Sequence, residues 1–288
     1  MKNDLLERIK TLMPEFSKGQ RAIGGYILLN YDKAAFMTAC KLGEYTGVSE
    51  STVVRFATAL GYEGYPELQV ALQELIRIRL TSVQRMEITN DRIGGGDVLE
   101  NVLNSDMAKI RATLDSISRH DFNAASEAIL NARRIYIIGM RSSAALASFL
   151  AFNLRFMFDN VTQVQTTSGS EIFEQLLRVS PDDVVIAISF PRYSKRIINA
   201  VEYAHLQGAH IVSITDSPLS PIAASADSGL YAKSDMASFV DSLVAPLSII
   251  NALLVDLARK KQGELQKVFS RLESIWDEYD VYDKDSRG

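Results

Sequence analysis

A chain of 288 residues, 47% hydrophobic and 23% charged, is long enough for one large or two ordinary folded domains and too apolar to be disordered. Its net charge of −4 excludes the strong basic excess that is the crude footprint of a nucleic-acid binder, although the first 80 residues, with ten Lys/Arg against nine Asp/Glu, lean the other way. Cys40, the single cysteine, excludes an intramolecular disulfide and a cysteine-based metal site. His120, His205 and His210 stand at no ligand spacing, so no metal is expected.

The chain begins MKNDLLERIK, which is amphipathic and carries no apolar signal core. Leu5, Ile9 and Leu12 predict a first helix, stopped by Pro14. Ile23, Ile27 and Leu28 predict a second over Lys18 to Asn30. Thr38 is placed to cap a short third helix, Ala39 to Tyr45, with Leu42 inward and Gly43 where two helices cross closely. Gly47 suits a turn with positive φ. Ser49 then reads as an N-cap whose hydroxyl accepts from a first-turn N–H. Val53, Phe56, Ala57 and Leu60 form the apolar stripe of the fourth helix, and Gly61 ends it. Helix, glycine turn and helix make a helix-turn-helix pattern. The outer face of its second helix carries Ser51, Thr52 and Arg55, groups able to meet base edges in a major groove. By pattern alone, an ordinary helical hairpin in an all-α core reads equally well. Pro66 opens a fifth helix with Leu68, Leu72, Leu75 and Ile76 inward.

Gly94-Gly95-Gly96 reads as a flexible break. Asp97 then starts a long amphipathic helix whose stripe, Leu99, Leu103, Met107, Ile110, Leu114 and Ile117, suits packing on the next domain or on a second subunit. After a helix over Phe122 to Ala132 the pattern changes. Apolar runs at 135–138, 161–164, 184–188, 211–214 and 230–232 alternate with helices at 144–158, 194–207 and 238–261, which predicts a parallel sheet covered on both faces. The apolar run Leu243 to Ala258 is too short and too polar to span a membrane. A cytoplasmic protein is expected. The last dozen residues read as a frayed tail.

In such a sheet, ligands bind off the carboxyl ends of strands. Two of these ends carry informative loops, Gly139 to Ser143 and Ser189 to Ser194. Both place hydroxyls and N–H groups at a helix start, and Arg141, Arg192 and Lys195 add charge suited to a phosphate. Capping serines with solvated basic neighbours would look similar; two such loops at adjacent strand ends favour an anionic ligand. Glu171 opens a helix nearby, either as a ligand contact or for the helix dipole. Neither a dinucleotide fingerprint nor a P-loop is present, and no cofactor is expected.

LGEYTGVSESTVVRFATALGYEGYPELQ resembles the N-terminal helix-turn-helix of RpiR-type bacterial transcriptional regulators. IYIIGMRSSAALASFLAFNL and the stretch DDVVIAISFPRYSKRIINAVEYAHLQGAHIVSITDSPLSPIAASAD resemble their C-terminal sugar isomerase (SIS) domain. The resemblance implies an α/β chain: an all-α helix-turn-helix domain over residues 1–78, a linker and the start of a connecting helix over 79–105, an α/β/α SIS domain with a five-stranded parallel sheet over 106–265, and a helix end with a charged tail over 266–288. It implies a homodimer or homotetramer that binds double-stranded operator DNA and senses a phosphosugar, and is not an enzyme. Carried over by position, Ser49, Ser51, Thr52 and Arg55 match the DNA-reading pattern S-x-S-T-x-x-R, with Lys41 expected beside them. On the effector side Ser143, Ser189 and Ser194 are carried over by position, and Arg141, Ser142, Arg192, Tyr193, Lys195 and Glu171 stand beside them as further candidate contacts. The sequence departs from the family where Arg141 replaces a glycine and Pro191-Arg192 replaces Ser-Gly, which narrows the pocket and adds charge. Leu68 and Gln69 stand where an aromatic and a lysine are common. The competing readings are a phosphosugar aldose–ketose isomerase and a binding module that only dimerises.

Overall fold

Side-chain caps and left-handed glycines punctuate the first part of the chain into helices α1 (Leu5–Leu12), α2 (Lys18–Ala34), α3 (Ala39–Thr46), α4 (Glu50–Ala59) and α5 (Tyr65–Arg79). Ser17 and Gln20 cap α2 reciprocally, each side chain meeting the other's backbone N–H. The Thr38 hydroxyl caps α3 by accepting from the Lys41 N–H. Gly47, at φ 68°, ends α3, and Gly61, at φ 82°, follows α4. The helices bury Ile9, Ile23, Ile27, Leu42, Phe56 and Leu72 against one another, each fully buried aliphatic contributing about 1.5–3 kcal/mol. A Cβ on Gly43 would lie 2.7 Å from the Val48 carbonyl, so this glycine lets α3 meet the backbone of the following turn. The Tyr65 hydroxyl donates to the Met37 carbonyl at 2.7 Å, tying α5 to the end of α2. Burial pushes its pKa up to about 12.

The computed structural model describes residues 5–79, 81, 83–86, 96–165, 170–234 and 240–282. The chain divides into two units, Met1–Arg92 and Ile93–Gly288. The second opens with α6 (Val98–Ser116), capped by the Asp97 carboxylate, and α7 (Arg119–Asn131). Then follow β1 (Ile135–Gly139), α8 (Ser142–Leu154), β2 (Val161–Val164), α9 (Glu171–Leu176), β3 (Val184–Ile188), α10 (Lys195–Leu206), β4 (His210–Thr215) and β5 (Ser228–Tyr231). Two helices, α11 (Val244–Lys260) and α12 (Gln262–Glu278), complete it. The sheet is parallel throughout, in the order β2-β1-β3-β4-β5. Alternate residues feed two cores. Ile135, Ile137 and Ile186 pack with Leu150 and Leu253 on one face; Tyr136, Ile138 and Val185 pack with Ile172 and Val201 on the other. That two-sided burial is why the strands read as unbroken apolar runs. The layers are helix, sheet, helix, as expected.

Two expectations need correcting. The helix assigned to 238–261 starts at Val244, and residues 240–243 are not helical; residues 235–239 lie outside the described residues. Lys261 (φ −106°, ψ 22°) breaks the path, and α12 is a separate helix that runs to Glu278, into the stretch read as frayed. Of the two packings expected for the α6 stripe, on the next domain or on a second subunit, the single chain leaves most of it open: Leu99 is 68% exposed, and Leu103, Met107, Ile110 and Leu114 are also exposed. Lys109 and Thr113 are buried, on a face where Thr113 accepts from the Lys233 N–H and Asp106 from the Ser242 hydroxyl, both between β5 and α11. Gly94 and Gly95 of the expected flexible break lie outside the described residues. No helix of the described residues is long and apolar enough to cross a membrane.

Candidate functional site

In the first unit, the candidate DNA-reading residues gather at the start of α4. Ser49 holds the N-cap position but makes no capping bond through its side chain, contrary to expectation. Its Oγ lies 2.9 Å from both Ser51 Oγ and Thr52 Oγ1, and the Arg55 guanidinium donates to Thr52 Oγ1 at 3.3 Å. Two further hydroxyls in the first turn thus capture the serine that would otherwise serve the backbone. Ser49, Ser51 and Arg55 are exposed. Ser49, Thr52 and Arg55 line an open groove of about 570 Å³ together with Ser17, Gly19, Gln20 and Val48. The amino ends of α2 and α4 meet in this groove, and each carries partial positive charge suited to a phosphate. Sequence reading missed Ser17, Gly19 and Gln20; the signal was the Ser17–Gln20 capping box. Lys41 is exposed on the first turn of α3, and neither it nor Ser51 lines the groove.

In the second unit, the strand order makes β1 and β3 neighbours, with β2 beyond one and β4 beyond the other. That is the point where an open α/β sheet forms its ligand crevice. The loops leaving these two strands are Gly139–Ser143 and Ser189–Ser194, and they meet: the Ser194 hydroxyl reaches Met140 Sδ at 3.6 Å. Gly139 is required there, since a Cβ would approach the Ser143 carbonyl to 2.5 Å. Arg141 holds φ 57° and ψ −126°, a conformation glycine adopts freely and other residues rarely do. Ser143 and Ser189 are buried in the floor, Tyr193 and Ser194 are half-buried, and Arg141, Ser142, Arg192 and Lys195 are exposed at the rim. Glu171 is half-buried at the first position of α9.

The structure adds residues that sequence reading passed over. The Tyr193 hydroxyl donates to Asp216 Oδ1 at 2.7 Å. The Thr215 hydroxyl donates to the Ser189 carbonyl at 2.7 Å, with Ser220 Oγ 2.8 Å away. Thr215, Asp216 and Ser220 are all buried. Their signal was hydroxyl and acid immediately after a strand, in ITDSPLS. The crevice thus combines hydroxyls, two helix starts and rim cations around a buried carboxylate. This set is suited to holding a polyhydroxylated anion. Among the described residues, no three His, Cys, Asp or Glu gather as a metal site.

Comparison with known proteins places the chain. The helix-turn-helix domain of the rpiR family matches residues 3–77, and the SIS domain matches residues 128–256. An uncharacterized HTH-type transcriptional regulator of Caldanaerobacter subterraneus subsp. tengcongensis is 24% identical, over 94% of this chain and 96% of that protein. The HTH-type transcriptional regulator HexR of Pseudomonas aeruginosa is 23% identical, over 94% and 95%. The structure of Vibrio vulnificus NanR complexed with ManNAc-6P superposes with a TM-score of 0.59 at 24% identity, covering 94% of this chain and 97% of that one. The sugar isomerase domain of an RpiR transcription factor from Sphaerobacter thermophilus gives 0.58 at 29% identity, covering 60% and 97%.

Proposed function

Because the chain carries an RpiR-family helix-turn-helix domain together with a SIS domain, we propose that it is a transcriptional regulator in which a phosphorylated sugar controls the grip on operator DNA. The observation that carries the reading is the pairing, on one chain, of the α2–α4 groove with the β1–β3 crevice. In the groove, Arg55 and Thr52 face DNA while the two helix starts and Ser17 position a backbone phosphate. In the crevice, Ser143, Ser189 and Ser194 hold the phosphate, Arg141, Arg192 and Lys195 balance its charge, and Tyr193 and Asp216 meet sugar hydroxyls. Glu171 closes the side of the crevice. That the similar NanR is seen with ManNAc-6P supports a sugar 6-phosphate as the effector. The chain binds and does not catalyse, and it works in the cytoplasm as a homodimer or homotetramer on an inverted repeat. The exposed α6 stripe supports self-association.

Selection of genomic DNA fragments by the purified protein, with and without pooled sugar phosphates, tests the reading. One inverted repeat is expected, with its yield altered by the pool. Absence of any enriched sequence in both conditions would overturn it.

A further inference from the structure

We propose that α6 is the output lever of the crevice, worked through the short segment that follows β5. This rests on the effector reading above and names how that site is coupled. The path is continuous. The Thr215 hydroxyl holds the Ser189 carbonyl at the mouth of the second loop, and Asp216 beside it holds Tyr193. The Thr215 carbonyl in turn accepts from the Ala232 N–H at 2.7 Å. The next N–H, of Lys233, donates to Thr113 Oγ1 on α6 at 2.9 Å. A second tie lies alongside: the Ser234 hydroxyl donates to the Ser242 carbonyl at 3.0 Å, and the Ser242 hydroxyl donates to Asp106 Oδ1 on α6 at 2.6 Å. Lys109, 6% exposed, donates to Ser105 and lies 3.5 Å from Asp106.

Two features make this joint a lever and not a simple strut. The bonded face of α6 presents Asp106, Lys109 and Thr113, while Leu99, Leu103 and Met107 are exposed and the C-terminal end, Ile110, Leu114 and Ile117, borders an open apolar groove with Ala245 and Ile249 of α11. Hydrogen bonds exchange partners with little net loss, whereas a packed apolar core resists displacement. Moreover, α6 is the first helix after the DNA-binding unit in the chain. A ligand that pulls the Ser189–Ser194 loop therefore moves Thr215, and with it Ala232, Lys233 and α6.

Hydrogen exchange of the full-length protein tests this, with a pool of hexose and N-acetylhexosamine 6-phosphates as the probe. In the wild type, the pool is expected to protect residues 139–143 and 189–194 and to change exchange across 98–116. In Thr113→Val and Asp106→Ala, loop protection is expected to persist with an affinity within about twofold of wild type, while the α6 response falls by about fivefold or more. Thr113→Ser, which keeps the hydroxyl, is expected to restore it. Protected loops with an unresponsive α6 in the wild type, or an undiminished response in Thr113→Val, would overturn the lever and leave the effector site standing. No protection of either loop in the wild type would overturn the effector reading and the lever together.

Discussion

Arg55 and Arg141 are the two side chains on which the functional account bears most directly. Arg55 is exposed at the groove and donates to Thr52 Oγ1. Replacing it by alanine is expected to weaken operator binding by about 1–3 kcal/mol, a loss of about fivefold to 150-fold in a fluorescence titration, if it reads a base edge. Arg141 combines charge with backbone strain. At φ 57° and ψ −126° an arginine carries a conformational cost on the order of 1–3 kcal/mol that glycine does not. Arg141→Gly is therefore expected to raise the melting temperature while lowering phosphosugar affinity by about tenfold, near 1.4 kcal/mol. A variant that gains stability and keeps its affinity would remove Arg141 from the ligand. At this scale the sequence was informative where function and local structure coincide. Ser49 to Arg55 and Ser189 to Ser194 announce themselves as helix starts after a turn or a strand. Ser17 and Asp216 did not, because each reaches its site only when a second element packs beside the first: α2 against α4, and β4 beside β3.

Among the elements, α7 and α11 are joined by a cluster whose charge states set a pH dependence. The Ser126 hydroxyl donates to Asp256 at 2.6 Å, and Lys260 reaches Asp256 at 2.9 Å and Glu127 at 2.7 Å. The Ser126 bond, aided by Lys260, holds the Asp256 carboxyl below its usual range. The Glu127 bond, aided by Asp256, holds the Lys260 ammonium above its usual range. The carboxyl's contribution to stability is therefore complete above its unfolded pKa and is lost as pH falls through the depressed folded value. The ammonium's contribution is complete below its unfolded pKa and is lost as pH rises through the raised value. Urea midpoints are expected to be flat with respect to this cluster between about pH 5 and 9. Asp256→Asn should lower them there and flatten the acid-side decline. The helices themselves were legible from periodicity, but burial was not. Period alone marks the Leu99–Leu114 stripe as apolar, and only the structure shows that Asp106, Lys109 and Thr113 are the face turned inward. The stripe repeats at near-heptad spacing from Leu103. The double change Leu103→Lys with Met107→Lys is expected to shift the sedimenting species towards monomer. An unchanged species would place self-association elsewhere, and α12, with no residue buried, would be the next surface to probe.

At the scale of the whole molecule, two units on one chain carry two different chemistries: helix starts and a guanidinium in Met1–Arg92, and a hydroxyl-lined crevice in Ile93–Gly288. The two architectures were legible as a change, from Ile135 on, from helical period to alternating strands and helices, since a parallel sheet needs crossovers and a small helical bundle does not. The route by which one unit informs the other was not legible. It depends on hydrogen bonds between residues as far apart as Thr113 and Lys233. The central claim is that the two sites share one free energy, and linkage makes it exact in both directions. The most direct measurement is phosphosugar affinity of the full-length protein with and without saturating operator DNA, set beside operator affinity with and without saturating phosphosugar. The same factor is expected in both, about 5- to 150-fold. Affinities that do not depend on the other ligand would contradict it, leaving two sites that share a chain and nothing more.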